Sequence, residues 1–495
     1  MPTPLRADGE IPDDIILNLP VGFKAQLFAA ISHLNGPRLM DYDSEGVLHV
    51  ATIRGPSEIV ALPDRDDDGF ADEASVVASG FRRLHSLAFH DRDMYVADTN
   101  QLMRLSDEDD DGVYEKRESL AQFPAGEGDL HPPRTIVIDE RREKIYVNVG
   151  SSCDLCRERD PERAAVLVLD LDGSNRRVFA SGVRNATALT LHPVTNELWA
   201  AVNGHDREGD RLPPERIDIL RDGGFYGWPF AYAYRTWVDF SVPQYAPVLP
   251  ISPQDSLLVQ QVPRPVALAP ARMAPMGIHF YTREMFPPIY QNTAFITFRA
   301  GHNAAVPGWK VVVLFVEPDG SNAVLADFMT GLGPLVKDPD DAPGEGVRGQ
   351  PVGVISDEKG NLFVTSDFVN HMVIRVSFDG VDATTAIAEP EQRVPAVLML
   401  EPGYPNPFNA STTIPYSLAS PSQVEIAVHD VAGQRVRVLV NETQKAGRHI
   451  ISWDGRDDDG SELASGMYFY RMRLGDLPPF SSLSERLTGK LLLLR

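Results

Sequence analysis

Six copies of one two-part pattern run through the chain between residues 37 and 367: an apolar segment, a polar turn, then a short alternating strand with a bulky residue at its centre. PRLMDYDSEG leads into VLHVAT around His49, LHSLAFHDRD into MYVADT around Tyr95, and RTIVIDERRE into KIYVNVG around Tyr146. ATALTLHPVTN leads into ELWAAVN around Trp199, PMGIHFYTREMFPPIYQN into TAFITFR around Phe295, and PVGVISDEKG into NLFVTSD around Phe363. The central residues follow one another at intervals of 46, 51, 53, 96 and 68. Period-two strands recurring every 40 to 50 residues or so are the mark of propeller blades, because four short strands and their turns take up that length. Six such units close a ring, and the two longer intervals predict insertions in blades four and five. Helical periodicity over ten or more residues is nearly absent, while 38 Gly and 40 Pro supply the turns of an all-β chain. A TIM barrel or a solenoid is disfavoured.

A chain of 495 residues exceeds one core of average size. The repeat stops near residue 379, where DGVDATTAIAEPEQRVPA reads as a linker. From Leu398 onward, TTIPYSL, QVEIAVHDV, VRVLV, HIISWD, MYFYRMRL and LTGKLLLL alternate between turns, as roughly seven strands of a β-sandwich would. The predicted architecture is all-β: a six-bladed β-propeller over residues 15–378, a linker over 379–397, and a small Ig-like β-sandwich over 398–495.

The formal charge of −24 repels nucleic acid and anionic membrane surfaces and suits a soluble or cation-binding protein. No run of eighteen apolar residues offers a membrane span, and the start, MPTPLRADGEIPDD, lacks the basic and apolar stretches of a signal peptide. Read alone, that start places the chain in the cytosol. Cys153 and Cys156 are the only cysteines, a C-x-x-C pair that fits a redox centre, half a zinc site or a short local disulfide. Zinc needs four ligands and no second pair exists. The redox reading lacks its usual βαβ surroundings, which leaves a structural disulfide or inert thiols.

Two turns, Asp64-Arg-Asp66-Asp-Asp68-Gly69 and Asp107-Glu-Asp109-Asp-Asp111-Gly112, carry the D-x-D-x-D-G spacing that sets carboxylates around a hard cation; Asp454 to Gly460 is a looser third. An EF-hand loop needs a bidentate Glu at its twelfth position. That position is Ser75 in the first and Glu118 in the second, with no flanking helices. Hairpin turns between strands are the simpler reading, with surface calcium as the alternative.

Residues just before each innermost strand of a propeller converge at one mouth of the channel. Here they are Arg38, His85, His131 with Arg134, Arg184 with Asn185, Met276, and Arg348 with Gln350. Two histidines with several guanidiniums and amides suit an anionic, planar, hydrogen-bonding ligand. The segments LHPPRTIVIDERREKIYVNVGSSCDLC, GVRNATALTLHPVTNELWAAVNGHD and ILRDGGFYGWP resemble the third and fourth blades of the glucose/sorbosone dehydrogenase family, a likeness spanning residues 15–378. That resemblance implies a pyrroloquinoline quinone (PQQ) held over the mouth by Ca2+ and basic side chains, a sugar or polyol substrate, and a separate electron acceptor.

In that frame His131 matches the catalytic histidine, the general base that takes the hydroxyl proton as hydride passes to the quinone. Such a base works best with a pKa near ambient pH, which an unperturbed imidazole offers. Arg184 and Asn185, in the family's R-N pair, would contact the quinone oxygens and stabilise negative charge there. Lys310, in PGWKVVVL, matches a lysine on a cofactor carboxylate, and His85, in LHSLAF, a polar pocket residue; Arg134 joins this cofactor-binding set. The carbonyls of Gly204 and His205, in VNGHD, match the calcium-binding stretch, with Asp206 and Asp210 nearby and Tyr226 in the same corner. Where the family shows G-R-P this chain has Gly349-Gln350-Pro351, with Arg348 as the substitute cation. His131 opens H-P-P-R-T in place of H-T-R-T, and RAGHNAAVPGWK replaces a G-S-W-N-R type segment. These departures keep open an alternative: a non-catalytic surface propeller that binds a glycan or a protein.

EPGYPNPFNASTTIPYSL, VHDVAGQRVRVL, AGRHIISWDGRDDDG, LASGMYFYRMRLG and the closing GKLLLLR resemble FlgD Ig-like sorting domains of type IX secretion substrates. That likeness implies the type IX secretion machinery as a partner and a secreted or cell-surface location. A plain carbohydrate-binding or adhesive sandwich is the other reading of the same strands.

Overall fold

The computed structural model describes residues 3–4, 11, 15–30, 35–126, 128–299, 308–333, 347–368 and 370–380, and in the C-terminal region 399–400, 408, 411–418, 422–430, 433–445, 447–474 and 488–493. Its contacts divide the chain into two units, with the break at Gly380 and Val381. The linker expected over 379–397 therefore lies, past Gly380, outside the described residues.

Among the described residues the first unit holds six sheets of four or five strands. Their innermost strands are Pro37–Tyr42, Ser86–His90, Ile136–Asp139, Ala188–Leu191 and Pro275–Phe280, with Pro351–Ser356 the sixth. Each touches the next, and the sixth touches the first, so these strands line a closed ring. The second strands, such as Leu198–Val202 and Ala294–Phe298, are buried along their whole length, because both faces of a blade pack against neighbouring blades. His49, Tyr95, Tyr146, Trp199, Phe295 and Phe363 are all buried there. The fold is a β-propeller.

Two devices close the ring. The strand Phe23–Ala30 pairs antiparallel with Met372–Phe378 and completes the sixth sheet with chain from near the start. Hydrogen bonds also stitch each blade to the next close to the inner strands. Leu39 N donates to His85 O at 3.1 Å, Ser86 Oγ to Arg134 O at 3.1 Å, Thr135 Oγ1 to Thr187 O at 2.8 Å, and Thr187 Oγ1 to Pro275 O at 2.7 Å. Thr297 Oγ1 donates to Val352 O at 2.5 Å and Thr365 Oγ1 to Arg38 O at 2.8 Å. The belt satisfies carbonyls that would otherwise be buried without partners near the axis. It also fixes the end of the channel at which the residues preceding each inner strand gather.

The insertion expected in blade four occupies the chain between Glu215–Leu220 and Ala267–Ala269. It adds the strand Gly224–Phe225 to the third sheet, parallel to Arg177–Ser181, and the helix Pro253–Gln261. Ser252 and Asp255 cap that helix reciprocally, and Asp255 pairs with Arg157 at 2.7 Å. Phe225, Trp228, Phe230, Tyr245 and Val262 form its own small core, packed against Leu155. The added length expected in blade five falls partly on residues 300–307 and 334–346, outside the described residues.

The acidic turns join consecutive strands of the first and second sheets. Gly69 N donates to Asp64 Oδ2 at 3.1 Å and Phe70 N to Asp68 Oδ1 at 2.8 Å; Gly112 N and Val113 N do the same for Asp107 and Asp111. These carboxylates cap their own turns, as hairpin residues do. Cys153 and Cys156 form a disulfide. Among the described residues no helix is long and apolar enough to cross a membrane.

The C-terminal unit holds two sheets among its described residues. Thr412–Leu418 lies between Met399–Leu400 and Gly447–Trp453 in one; Arg435–Gln444, Ser422–His429, Gly466–Leu474 and Thr488–Leu493 form the other. Phe408, Ile414, Val428, Trp453, Tyr470 and Leu491 fill its core. It is an Ig-like sandwich.

Candidate active site

His131 sits five residues before the start of the inner strand of the third sheet, on a segment that Arg134 holds down. The Arg134 side chain is fully buried and donates to His131 O at 2.8 Å and to Pro124 O at 3.0 Å. This corrects its assignment as a cofactor contact: both terminal nitrogens of the guanidinium are taken up by backbone carbonyls. The His131 imidazole presents Nδ1 to the carbonyl and the hydroxyl of Ser151, both at 3.0 Å. A carbonyl can only accept, so Nδ1 carries the proton and Nε2 bears the lone pair. Burial, then the adjacent Arg184, lower the His131 pKa to about 3. The expectation of a base titrating near ambient pH is thus overturned, because a guanidinium beside a desolvated imidazole opposes a second positive charge.

Arg184 and His131 belong to neighbouring blades yet share Ser151, whose amide donates to Arg184 O at 2.8 Å. The Arg184 guanidinium donates to Asp154 O at 2.9 Å, to Asp154 Oδ1 at 2.8 Å and to Asp206 Oδ2 at 3.0 Å. Asp154 lies between the two disulfide-bonded cysteines. It also accepts from Tyr245 Oη at 2.8 Å, and its carbonyl from Trp228 Nε1 at 3.1 Å. Burial acts to raise its pKa, but Arg184 and Tyr245 outweigh this and hold it below the usual carboxylate range. Asn185 is buried, and an added Cβ at Gly150 would lie 2.9 Å from Asn185 Oδ1 and 2.6 Å from His131 Cβ. His131, Arg184 and Asn185 are therefore brought together.

A second polar cluster lies on the same rim. Fully buried His85 accepts at Nδ1 from Arg38 Nε at 3.0 Å, and its Nε2 faces Thr187 O at 3.4 Å. Burial, then Arg38, push its pKa well down. It is a neutral link in the wall rather than a pocket residue. Arg38 is ion-paired with Asp367, which also accepts from Arg299 Nε at 2.9 Å. Two guanidiniums on one carboxylate leave this cluster net positive. Gln350 is buried, its backbone N–H donates to Ser366 Oγ at 3.1 Å, and its side-chain oxygen has no hydrogen-bond partner among the described residues. The backbone of Arg348 is bonded to Leu332 and Asn370.

The remaining assignments change. Lys310 is ion-paired with Asp327, one strand outward, at 2.6 Å, so its ammonium has a protein partner already. Tyr226 Oη donates to Ile219 O at 2.7 Å and accepts from Arg221 N at 2.8 Å, a buried strut and not a metal ligand. Gly204 N donates to Glu215 Oε2 at 2.6 Å. His205 O accepts from Arg272 Nη1 at 2.9 Å, and Asp206 lies between Arg184 and Arg272. Asp210 is exposed. Of the donor set expected for Ca2+, His205 O and the Asp206 carboxylate are therefore already engaged by guanidiniums. Sequence reasoning missed Ser151, Asp154, Tyr245, Glu215, Arg272, Arg299 and Asp367. Only the nearness of Ser151 and Asp154 to the C-x-x-C pair could have flagged any of them.

A closed ring of sheets, with an imidazole and a guanidinium brought together ahead of its inner strands, defines a β-propeller carrying a buttressed polar cluster. A family model described as TrAA12-like matches residues 17–376, and the chain belongs to that family. The FlgD Ig-like domain model matches residues 408–475. A Borreliella burgdorferi protein of uncharacterised role is 23% identical over 376 residues, 74% of this chain and 92% of that one. The Escherichia coli aldose sugar dehydrogenase YliI is 26% identical over 147 residues, 30% of this chain and 33% of its own. Among solved structures, the holo PQQ domain of Coprinopsis cinerea pyranose dehydrogenase superposes with a TM-score of 0.59 at 20% identity, covering 75% of this chain and 99% of that one. A calcium structure of the Trichoderma reesei family AA12 enzyme gives a TM-score of 0.61 at 18% identity, with coverage of 75% and 99%.

Proposed function

We propose that this protein is a quinone-dependent oxidoreductase that converts a sugar or polyol hydroxyl to a carbonyl. The single observation that carries the reading is His131: its Nδ1 is fixed on the Ser151 carbonyl while Nε2 is left as an acceptor beside the Arg184 guanidinium. Two features suit PQQ at this rim. Gln350 offers a buried oxygen without a hydrogen-bond partner among the described residues, and the Arg38–Asp367–Arg299 cluster is net positive. When bound, such a quinone supplies the acceptor for the two electrons that leave the C–H bond. His131 Nε2 takes the hydroxyl proton, and Ser151 keeps the ring from turning. Arg184, braced by Asp154 and Asp206, presents fixed positive charge where negative charge develops. The YliI and pyranose dehydrogenase likenesses support a sugar substrate.

The test is to titrate purified protein with PQQ and follow dye reduction over a panel of aldoses and polyols. Turnover in the wild type and its loss by about 10²-fold or more in His131→Ala, with unchanged folding, is the expected result. No quinone binding and no turnover would overturn it; glycan binding that survives the substitution would favour a non-catalytic propeller instead. We further infer that the Ig-like unit directs export by a type IX route. Fractionating cells that carry the full chain or one ending at Gly380 checks this: both chains in the same compartment would remove the inference.

A further inference from the structure

We infer that Arg272 is the built-in cation of the 204–209 loop and takes the place of the calcium ion expected there. Calcium collects six to eight oxygens at about 2.3–2.6 Å. In this loop four oxygens already face one guanidinium. Nη1 donates to His205 O at 2.9 Å and to Asp206 Oδ1 at 2.6 Å; Nη2 donates to Asp206 O and to Gly209 O, the latter at 2.6 Å. Those are all four terminal N–H bonds that an arginine has. A planar fork of fixed charge thereby supplies what the ion would: neutralisation of Asp206 and a clamp on successive carbonyls.

The surroundings are built around this fork. The Arg272 side chain is only 10% exposed. Its backbone sits at φ +67°, a left-handed conformation rare for a residue with a Cβ. Buried Glu215 accepts from Gly204 N at 2.6 Å and from Ala274 N at 3.3 Å, which ties the loop to the segment that delivers Arg272. The Asp206 carboxylate is shared with Arg184, so an ion entering here would have to displace one guanidinium or the other.

The assignment does not depend on quinone binding, and its test uses calcium alone on the full chain. Bound calcium is counted by equilibrium dialysis for the wild type and Arg272→Ala, so that ions on the acidic turns contribute equally to both. One additional calcium per chain in the variant is the expected result. Equal counts in two folded proteins would overturn the inference. Should the variant fail to fold, wild-type crystals soaked in a lanthanide decide: no anomalous peak at His205 O upholds the assignment, and a peak there overturns it.

Discussion

As the proposed base, His131 has its tautomer chosen by a backbone carbonyl, and its environment sets how strongly it holds a proton. Burial and Arg184 lower its pKa to about 3, whereas in the unfolded chain an imidazole titrates near 6.5. The unfolded state then binds the extra proton between those values, so this group's contribution to stability falls as pH drops from about 6.5 to 3. Its NMR titration should show a neutral ring throughout that window. Arg184→Gln should raise the midpoint, since the guanidinium is the second cause of the depression. Gly150 tests the geometry independently. An added methyl would stand 2.6 Å from His131 Cβ and 3.1 Å from His131 O, and neither is a flexible chain end. Gly150→Ala should therefore displace the ring, lowering turnover about tenfold or more and stability by about 1–3 kcal/mol, as dye reduction and urea unfolding would show. Ser151→Ala leaves the carbonyl in place and should have a much smaller effect. At this scale the sequence revealed residue types but not their partners: Arg134 and Lys310 read as cofactor cations because burial against carbonyls, or a cross-strand Asp, leaves no local mark.

Among the elements, the repeating pairs were legible because a blade's second strand is apolar on both faces and its turn is polar. Phe23–Ala30 escaped the pattern, since its partner Met372–Phe378 comes about 350 residues later in the chain. Phe23 anchors that pairing, with its ring centroid 4.7 Å from Phe286, 4.9 Å from Phe378 and 5.0 Å from Phe328. Because Phe23 is only partly buried, Phe23→Ala should cost about 3 kcal/mol, the lower end for an aromatic truncation, measurable by denaturant unfolding. The loop from Ser151 to Cys156 makes the opposite case, a short element whose consequences are local. It supplies both acceptors of His131 and the carboxylate that braces Arg184. A disulfide closing so short a loop stabilises by about 2 kcal/mol. Replacing both cysteines by serine should thus lower melting only modestly, while a loosened Asp154 weakens quinone binding by a larger factor. Equal affinity in the two proteins would show that the loop holds its shape without the bond.

At the scale of the whole molecule, the repeat count implied a ring and the end of the repeat implied a second unit, and both are read directly from hydrophobic periodicity. The route by which the ring closes and the partners on its rim are not, because they depend on contacts between residues distant in sequence. Each unit carries its own core: Phe28, Phe295, Trp309 and Ile374 lie in clusters of the propeller, and Phe408, Ile414, Trp453 and Tyr470 in the sandwich. The strand that completes the sixth sheet and every residue of the candidate site precede Gly380. A protein ending at Gly380 should then melt within about 2 °C of the propeller transition of the full chain, the shift that about 1–2 kcal/mol produces in a domain of this size. It should also bind quinone with unchanged affinity. Calorimetry is the deciding measurement, since it should resolve two transitions in the full chain and one in the shortened protein. A drop of more than about 5 °C in the remaining transition would mean that the sandwich contributes to the propeller's stability.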